Sequence, residues 1–208
     1  MTIWFATGNA HKKAELAAIL ADHRIHIPLE AGDPALINFD PDERGTTFLE
    51  NALIKARELY RLVREPVIAD DSGLCVDALD GRPGVYSSRY GSSGRYGGER
   101  GKKLSDSERN ALLLGELGDN PDRRARFVCA MVLLYTPDRF FIAQETLEGE
   151  IVRRGGRGSG GFGYDPILYL PEKNCTVADL PEAEKNRFSH RGKAAKAIAN
   201  IIGFFSEE

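Results

Sequence analysis

The stretch Val67-Ile68-Ala69-Asp70-Asp71-Ser72-Gly73-Leu74 sets two adjacent carboxylates directly after a short apolar run. Such a run suits a buried strand of an α/β sheet, and open α/β sheets bind their ligands beyond the carboxyl ends of strands. Successive strand residues point to opposite faces. The pair must therefore split, one aspartate meeting a metal or water while the other faces the sheet or a neighbouring helix. Asp-Ser-Gly is also ordinary turn chemistry. On either reading the strand is expected to end at the carboxylates.

Cations in unusual places supply the second ingredient. Thr7-Gly8-Asn9 follows the apolar run Ile3 to Ala6, and a helical pattern begins at once through Ala14, Leu16, Ala17, Ile19 and Leu20. Asn9 suits the N-cap and Gly8 a tight strand-to-helix turn. Lys12 and Lys13 then fall in the first helical turn, where the helix dipole disfavours cations. A phosphate docked on the N–H groups of that turn would reverse the sign, with Lys12 as a second contact. The Gly-x-x-x-x-Gly-Lys-Ser/Thr signature of a Walker loop is absent. Further on, Ser189-His190-Arg191 again crowds cations at a helix start. Gly155 to Gly163 reads Gly-Gly-Arg-Gly-Ser-Gly-Gly-Phe-Gly, suited to close backbone approach to a ligand. Phe162 and Tyr164 in this setting are expected as exposed aromatics, a stacking platform for a base.

The elements that must position these groups are legible in outline. Strands are expected at Ile3 to Ala6, within Ile25 to Leu29, and at Val67 to Ala69. A polar segment from Ala31 to Gly45 carries Asp40, Asp42 and Glu43. Thr47-Phe-Leu-Glu50 reads as a capping box opening a helix, with apolar residues at Phe48, Leu49, Ala52, Leu53, Ala56, Leu59, Tyr60 and Val63. Lys55 and Asn51 lie at the margin of that buried stripe. Ser105-x-x-Glu108 opens another helix ending near Leu117-Gly118. Arg126 to Tyr135 and Arg139 to Leu147 read as two strands around a Thr-Pro-Asp turn, which departs from β-α alternation and implies a mixed sheet and a second lobe. Tyr164 to Tyr169 reads as a strand, and the last helix turns Ala194, Ala195, Ile198, Ile201, Ile202 and Phe205 inward.

Composition excludes several classes. A formal net charge of -3 over 208 residues leaves no general basic surface for nucleic acid or membranes. Cys75, Cys129 and Cys175 are widely separated and lack metal-ligand spacing, as in a reducing compartment. With no basic stretch before a long apolar run at the start, a cytoplasmic location is expected.

Five separated stretches then agree: Thr7-Gly8-Asn9-x-x-Lys12, the helix bearing Lys55, Ala69-Asp-Asp-Ser-Gly73, Gly160-Gly-Phe-Gly-Tyr-Asp-Pro166 and Ser189-His-Arg-Gly192. Together, and in this order, they resemble the inosine triphosphate pyrophosphatase (Ham1-like) family over the whole chain. The resemblance implies one domain spanning 1–208, an α/β fold with a central mixed sheet, flanking helices, and two lobes around a nucleotide-binding cleft. It implies a homodimer and Mg²⁺-dependent hydrolysis of dITP, ITP and XTP to monophosphate and pyrophosphate. The site residues it implies are Asp71 and Lys55 for catalysis and Glu43 with Asp71 for the metal. For substrate it implies Thr7, Gly8, Asn9, Lys12, Ser72, Phe162, Gly163, Tyr164, Asp165, Lys185, His190 and Arg191. Asp71 is either the general base, a metal ligand or both. Asp70 is expected to support the site. Cleavage between the β and γ phosphates, a non-catalytic nucleotide sensor, and a nucleic-acid binder are the rival readings.

Overall fold

A computed structural model of the chain describes residues 3–21, 39, 41–92, 104–155, 158 and 160–206. The strand expected within Ile25 to Leu29, and Asp40, lie outside the described residues.

Helices form where local sequence specifies them. Asn9 Oδ1 accepts the backbone N–H groups of His11 at 3.0 Å and Lys12 at 3.2 Å, which starts α1 (Ala10–Ala21). Both expected capping boxes are present. Thr47 Oγ1 accepts Glu50 N–H while Glu50 Oε2 accepts Thr47 N–H, opening α2 (Phe48–Val63). Ser105 and Glu108 do the same for α3 (Asp106–Leu117), which Gly118 closes. α4 (Glu182–Phe188) and α5 (His190–Ser206) complete the α-helices among the described residues.

The sheet has six strands in the order β1-β2-β3-β4-β5-β6 among the described residues. They are β1 (Trp4–Phe5), β2 (Val67–Val76), β3 (Arg124–Thr136), β4 (Arg139–Ile151), β5 (Leu168–Leu170) and β6 (Cys175–Thr176). β1 pairs with β2 in parallel, whereas β4 with β5 and β5 with β6 are antiparallel. The sheet is therefore mixed, as the non-alternating strands implied.

Two expectations fail. The Asp-Asp-Ser-Gly stretch is not a strand end, because β2 runs through it to Val76. Gly73 is needed for close approach instead of a turn: a Cβ there would lie 2.3 Å from Ser87 Oγ and 2.6 Å from the Gly84 carbonyl. Tyr164 to Tyr169 is a turn through Ile167, with strand only at Leu168–Leu170. Tyr164 anchors that turn, its carbonyl accepting the N–H groups of Ile167 and Leu168.

The chain divides into two compact units. The first comprises Met1–Asp71, Cys129–Glu145 and Asn186–Glu208; the second comprises Ser72–Val128 and Thr146–Lys185. Within the first unit the strand alternation sorts the core into two clusters. Ile68, Cys129, Met131 and Leu133 pack with Leu16, Ile19 and Leu20 of α1 and Ala195, Ile198 and Ile202 of α5. Val67, Ala69, Val132 and Leu134 pack with Ala52, Ala56 and Leu59 of α2. Asp70 continues the Ile68 face and Asp71 the Ala69 face, so the packing of α1, α5 and α2 decides what each carboxylate meets. No described helix is long and apolar enough to cross a membrane.

Candidate active site

Asp70 faces α1 and α5. Its Oδ2 lies 3.0 Å from Lys12 Nζ and 3.3 Å from Arg191 Nε, and its side chain is fully buried. Burial opposes its charge, but Lys12, Arg191 and Lys55 outweigh burial and hold its pKa below the usual carboxylate value. Arg191 is buried as well and also pairs with Glu15. Burial disfavours the guanidinium, and Asp70 and Glu15 more than restore it, so its pKa is raised. The Cys129 thiol is 3.9 Å from Asp70 Oδ2 and is pushed up to about 12, by burial first and then by that carboxylate. Asp70 thus pairs with two cations. It also explains Lys12, whose charge at a helix N-terminus is balanced by a strand carboxylate.

Asp71 faces α2. Asn51 Nδ2 donates to its Oδ2 at 3.0 Å, and Lys55 Nζ lies 3.3 Å from its Oδ1. The same ammonium is 3.1 Å from Glu43 Oε1. Asn51 and Lys55 are four residues apart and therefore share a helix face. Asn51 Oδ1 also accepts Gly45 N–H at 2.8 Å, tying the segment after Glu43 to the helix. Burial pushes the Asp71 pKa up, with Glu43 adding to it, against the opposing pull of Lys55 and Lys12. Burial disfavours the Lys55 charge, yet Asp71, Asp70 and Glu43 raise its pKa and keep it protonated. Two neighbouring carboxylates in one strand therefore have opposite characters: Asp70 is firmly ionised, and Asp71 is an acid whose proton affinity is enhanced.

Thr7, Gly8 and Asn9 form the turn before α1, where Thr7 Oγ1 accepts Asn9 N–H at 3.1 Å. Asn9 occupies two of that turn's N–H groups, so the charge of Lys12, more than a row of free N–H groups, is what the turn offers. Ser189 starts α5: its carbonyl accepts Lys193 N–H at 2.9 Å and its Oγ accepts Gly192 N–H at 3.1 Å. A Cβ at Gly192 would sit 2.0 Å from the Asn186 carbonyl, which explains the glycine of the Ser-His-Arg-Gly motif. His190 is buried beside Arg191 in sequence.

The second unit carries Ser72, which is half-buried, and a compact group around Asp165. Asp165 Oδ2 accepts Phe162 N–H at 2.9 Å and pairs with Lys185 Nζ at 2.8 Å. Lys185 Nζ also sits 4.8 Å from the centroid of the Phe162 ring, a cation–π contact. Phe162 is half-buried, and Gly163 follows it with φ 63°. The expectation of an exposed Tyr164 is corrected: its ring is buried and its hydroxyl donates to the Ser87 carbonyl at 3.0 Å. Burial raises its pKa. A large ring beside glycines reads as exposed from sequence because the Ser87 carbonyl that its hydroxyl meets lies 77 residues away along the chain.

The structure thus brings Lys12, Lys55, Asp71, Arg191 and Glu43 into charged contacts within the first unit, and Phe162, Asp165 and Lys185 together within the second. Sequence reasoning did not single out Glu15 or Cys129, nor the bond from Asn51 to Asp71. Glu15 carried one signal, its place three residues after Lys12 on the same helix.

This fold and its charged clusters define a mixed-sheet α/β protein with carboxylates and ammonium groups gathered on the sheet. The Ham1 family model matches residues 3–201, and the chain belongs to the Ham1 family. It is 46% identical to a Treponema denticola protein named dITP/XTP pyrophosphatase, over 97% of this chain and 98% of that one. It is 43% identical to the Thermus thermophilus protein of the same name, over 95% and 90%. The Staphylococcus aureus Ham1 protein structure superposes with a TM-score of 0.82 at 36% identity, covering both chains fully. A Coxiella burnetii HAM1 protein gives 0.82 at 39% identity over 98% of each chain.

Proposed function

We propose that this protein hydrolyses dITP, ITP and XTP to the nucleoside monophosphate and pyrophosphate, removing deaminated purines from the nucleotide pool. The family, and a relative named dITP/XTP pyrophosphatase at 46% identity, support the reaction. The observation that carries the residue assignment is Asp71, a buried carboxylate of raised pKa held by Asn51 and Lys55.

Charge handling and water placement limit cleavage of a triphosphate. Asp71 takes the proton from the water that attacks the α-phosphorus; its raised proton affinity suits a general base. Lys55 and Lys12 neutralise phosphate oxygens, and the Thr7-Gly8-Asn9 turn and Ser72 orient the phosphate chain. Asp70 keeps Lys12 and Arg191 aimed. Among the described residues no three His, Cys, Asp or Glu side chains gather as a metal site. Mg²⁺, however, usually takes only one or two carboxylates and shares substrate phosphates. Glu43 and Asp71, converging on one ammonium, fit that demand and would hold it. When bound it supplies further positive charge to the phosphates.

Phe162 stacks on the base, with Gly163, Tyr164, Asp165 and Lys185 fixing its surroundings. His190 and Arg191 are donors suited to an oxygen at the six position, where adenine carries an amino group. Leaving that group unpaired would cost about 1–3 kcal/mol, roughly tenfold to a hundredfold in preference. The reading extends to one functional domain across 1–208, a cytoplasmic homodimer acting on small nucleotides and on neither nucleic acid nor membranes.

Steady-state hydrolysis of ITP, XTP, dITP, GTP and ATP with Mg²⁺, with products separated by chromatography, tests this. Monophosphate and pyrophosphate are expected, with ITP, XTP or dITP far ahead of ATP and GTP. Diphosphate and phosphate as products, or ATP as the best substrate, would overturn it.

A further inference from the structure

The residues around Phe162 have little stiffness of their own, because Gly160 and Gly161 precede it and Gly163 follows it in the chain. Order must come from outside, and within the second unit α3 supplies part of it. Gly163 N–H donates to Asp106 Oδ2 at 2.6 Å, and the Gly163 carbonyl accepts from Asn110 Nδ2 at 3.0 Å. Two side chains four residues apart on one helix face thus engage both polar groups of a single loop residue.

Neither side chain is needed to make the helix. The capping box of Ser105 and Glu108 already satisfies the start of α3, and asparagine is a mediocre helix former. Asn110 is only 9% exposed. Its amide N–H is engaged by the loop, while its Oδ1 has no hydrogen-bond partner among the described residues. Asp106 is in turn held by Arg109. Around the clamp, Tyr164 is fixed to Ser87, and Phe162 N–H to Asp165.

We propose that Asp106 and Asn110 are positioning residues that fix Gly163, and through it Phe162 and Asp165, and so set the discrimination among purine bases. This rests on the reading of Phe162 and Asp165 as base contacts. A pocket rejects a wrong base only if its polar groups cannot shift to accommodate it. Because both residues act on the loop of Phe162 and Asp165, loosening the clamp changes substrate affinity and base preference more than the chemical step.

The test compares Asn110→Ser, which is too short to reach the carbonyl, and Asp106→Ala, which leaves the Gly163 N–H without its acceptor, with Phe162→Ala as the reference. The readouts are kcat and KM for ITP, GTP and ATP, the melting temperature, and amide deuterium exchange across Phe162 to Tyr164. Asn110→Ser should raise KM for ITP by about five- to fiftyfold with kcat within about threefold, and narrow the ITP/ATP ratio. Asp106 is exposed, so Asp106→Ala remains informative if Asn110→Ser fails to fold; it should speed exchange at Gly163 and move the ratio the same way. An unchanged KM and ratio in both variants, while Phe162→Ala alters them, would refute the clamp and leave the base site standing. No effect of Phe162→Ala on the ratio would refute the base site and the clamp with it. A fall in kcat at constant KM, tracking the melting temperature, would mean a role in folding only and would also overturn the proposal.

Discussion

Asparagine in place of Asp70 or Asp71 is an isosteric change at adjacent buried positions of one strand, yet the two variants should differ in the sign of their effect on stability. Asp70 is fully buried between Lys12 and Arg191. Removing its charge strands Lys12 in a part-buried site and leaves Arg191 with Glu15. Breaking a buried charge network from one side costs about 3–5 kcal/mol. For a chain of this size each kcal/mol moves the melting temperature by about 2–4 °C. Asp70→Asn should therefore melt roughly 6–20 °C lower. Asp71 has a pKa raised by burial. An acid whose folded pKa lies above its unfolded value destabilises the fold when ionised, so Asp71→Asn should melt at or above wild type at pH 7. Asn51 keeps an acceptor in that variant, and Lys55 keeps Glu43. Its turnover should nonetheless fall by about 10²–10⁴-fold, the usual worth of a general base. Calorimetry from pH 7 downward supplies a second signature. The folded pKa of Asp70 is depressed, so its contribution is complete above the unfolded value near 3.8 and is lost as pH falls through the lower folded value. The gap between wild type and Asp70→Asn should stay constant to about pH 5 and close only below about pH 4. For Asp71 the linkage is opposite, and wild type should gain on Asp71→Asn as the pH falls through its raised pKa. A melting temperature for Asp70→Asn within about 2 °C of wild type, or equal shifts in both variants, would refute this account of the strand.

Two further tests concern the strand's path and the acid limb of activity. Gly73→Ala would drive a Cβ to 2.3 Å from Ser87 Oγ and 2.6 Å from the Gly84 carbonyl; urea denaturation should show a loss of at least about 1–3 kcal/mol, and wild-type stability would contradict the close approach. The kcat/KM for ITP should fall on the acid side as Asp71 is protonated, with an apparent pKa above the ordinary carboxylate value of 3.8. A limb at or below that value would assign the essential base to another group.

What the sequence determined by itself was local. The capping boxes of Thr47 with Glu50 and Ser105 with Glu108, the cap at Asn9 and the start of α5 after Ser189 all depend on contacts three or four residues long, so the residues that decide them stand side by side. The alternation that separates Asp70 from Asp71 is equally local, and the motif order was enough to place the chain in its family. Tertiary structure alone decided what each carboxylate meets. Asp70 lies 58 residues from Lys12 and 121 from Arg191 along the chain, and Glu15 lies 176 from Arg191. Only the packing of α1 and α5 on one sheet face brings them together. Within the second unit, β2 continues through a sequence with good turn chemistry because Gly73 admits Ser87 against the strand. Tyr164, among glycines that suggested exposure, is buried with its hydroxyl on the Ser87 carbonyl, 77 residues away along the chain. Turn propensity is worth little beside burial of a strand on both faces, and burial is set by neighbours that no local window contains.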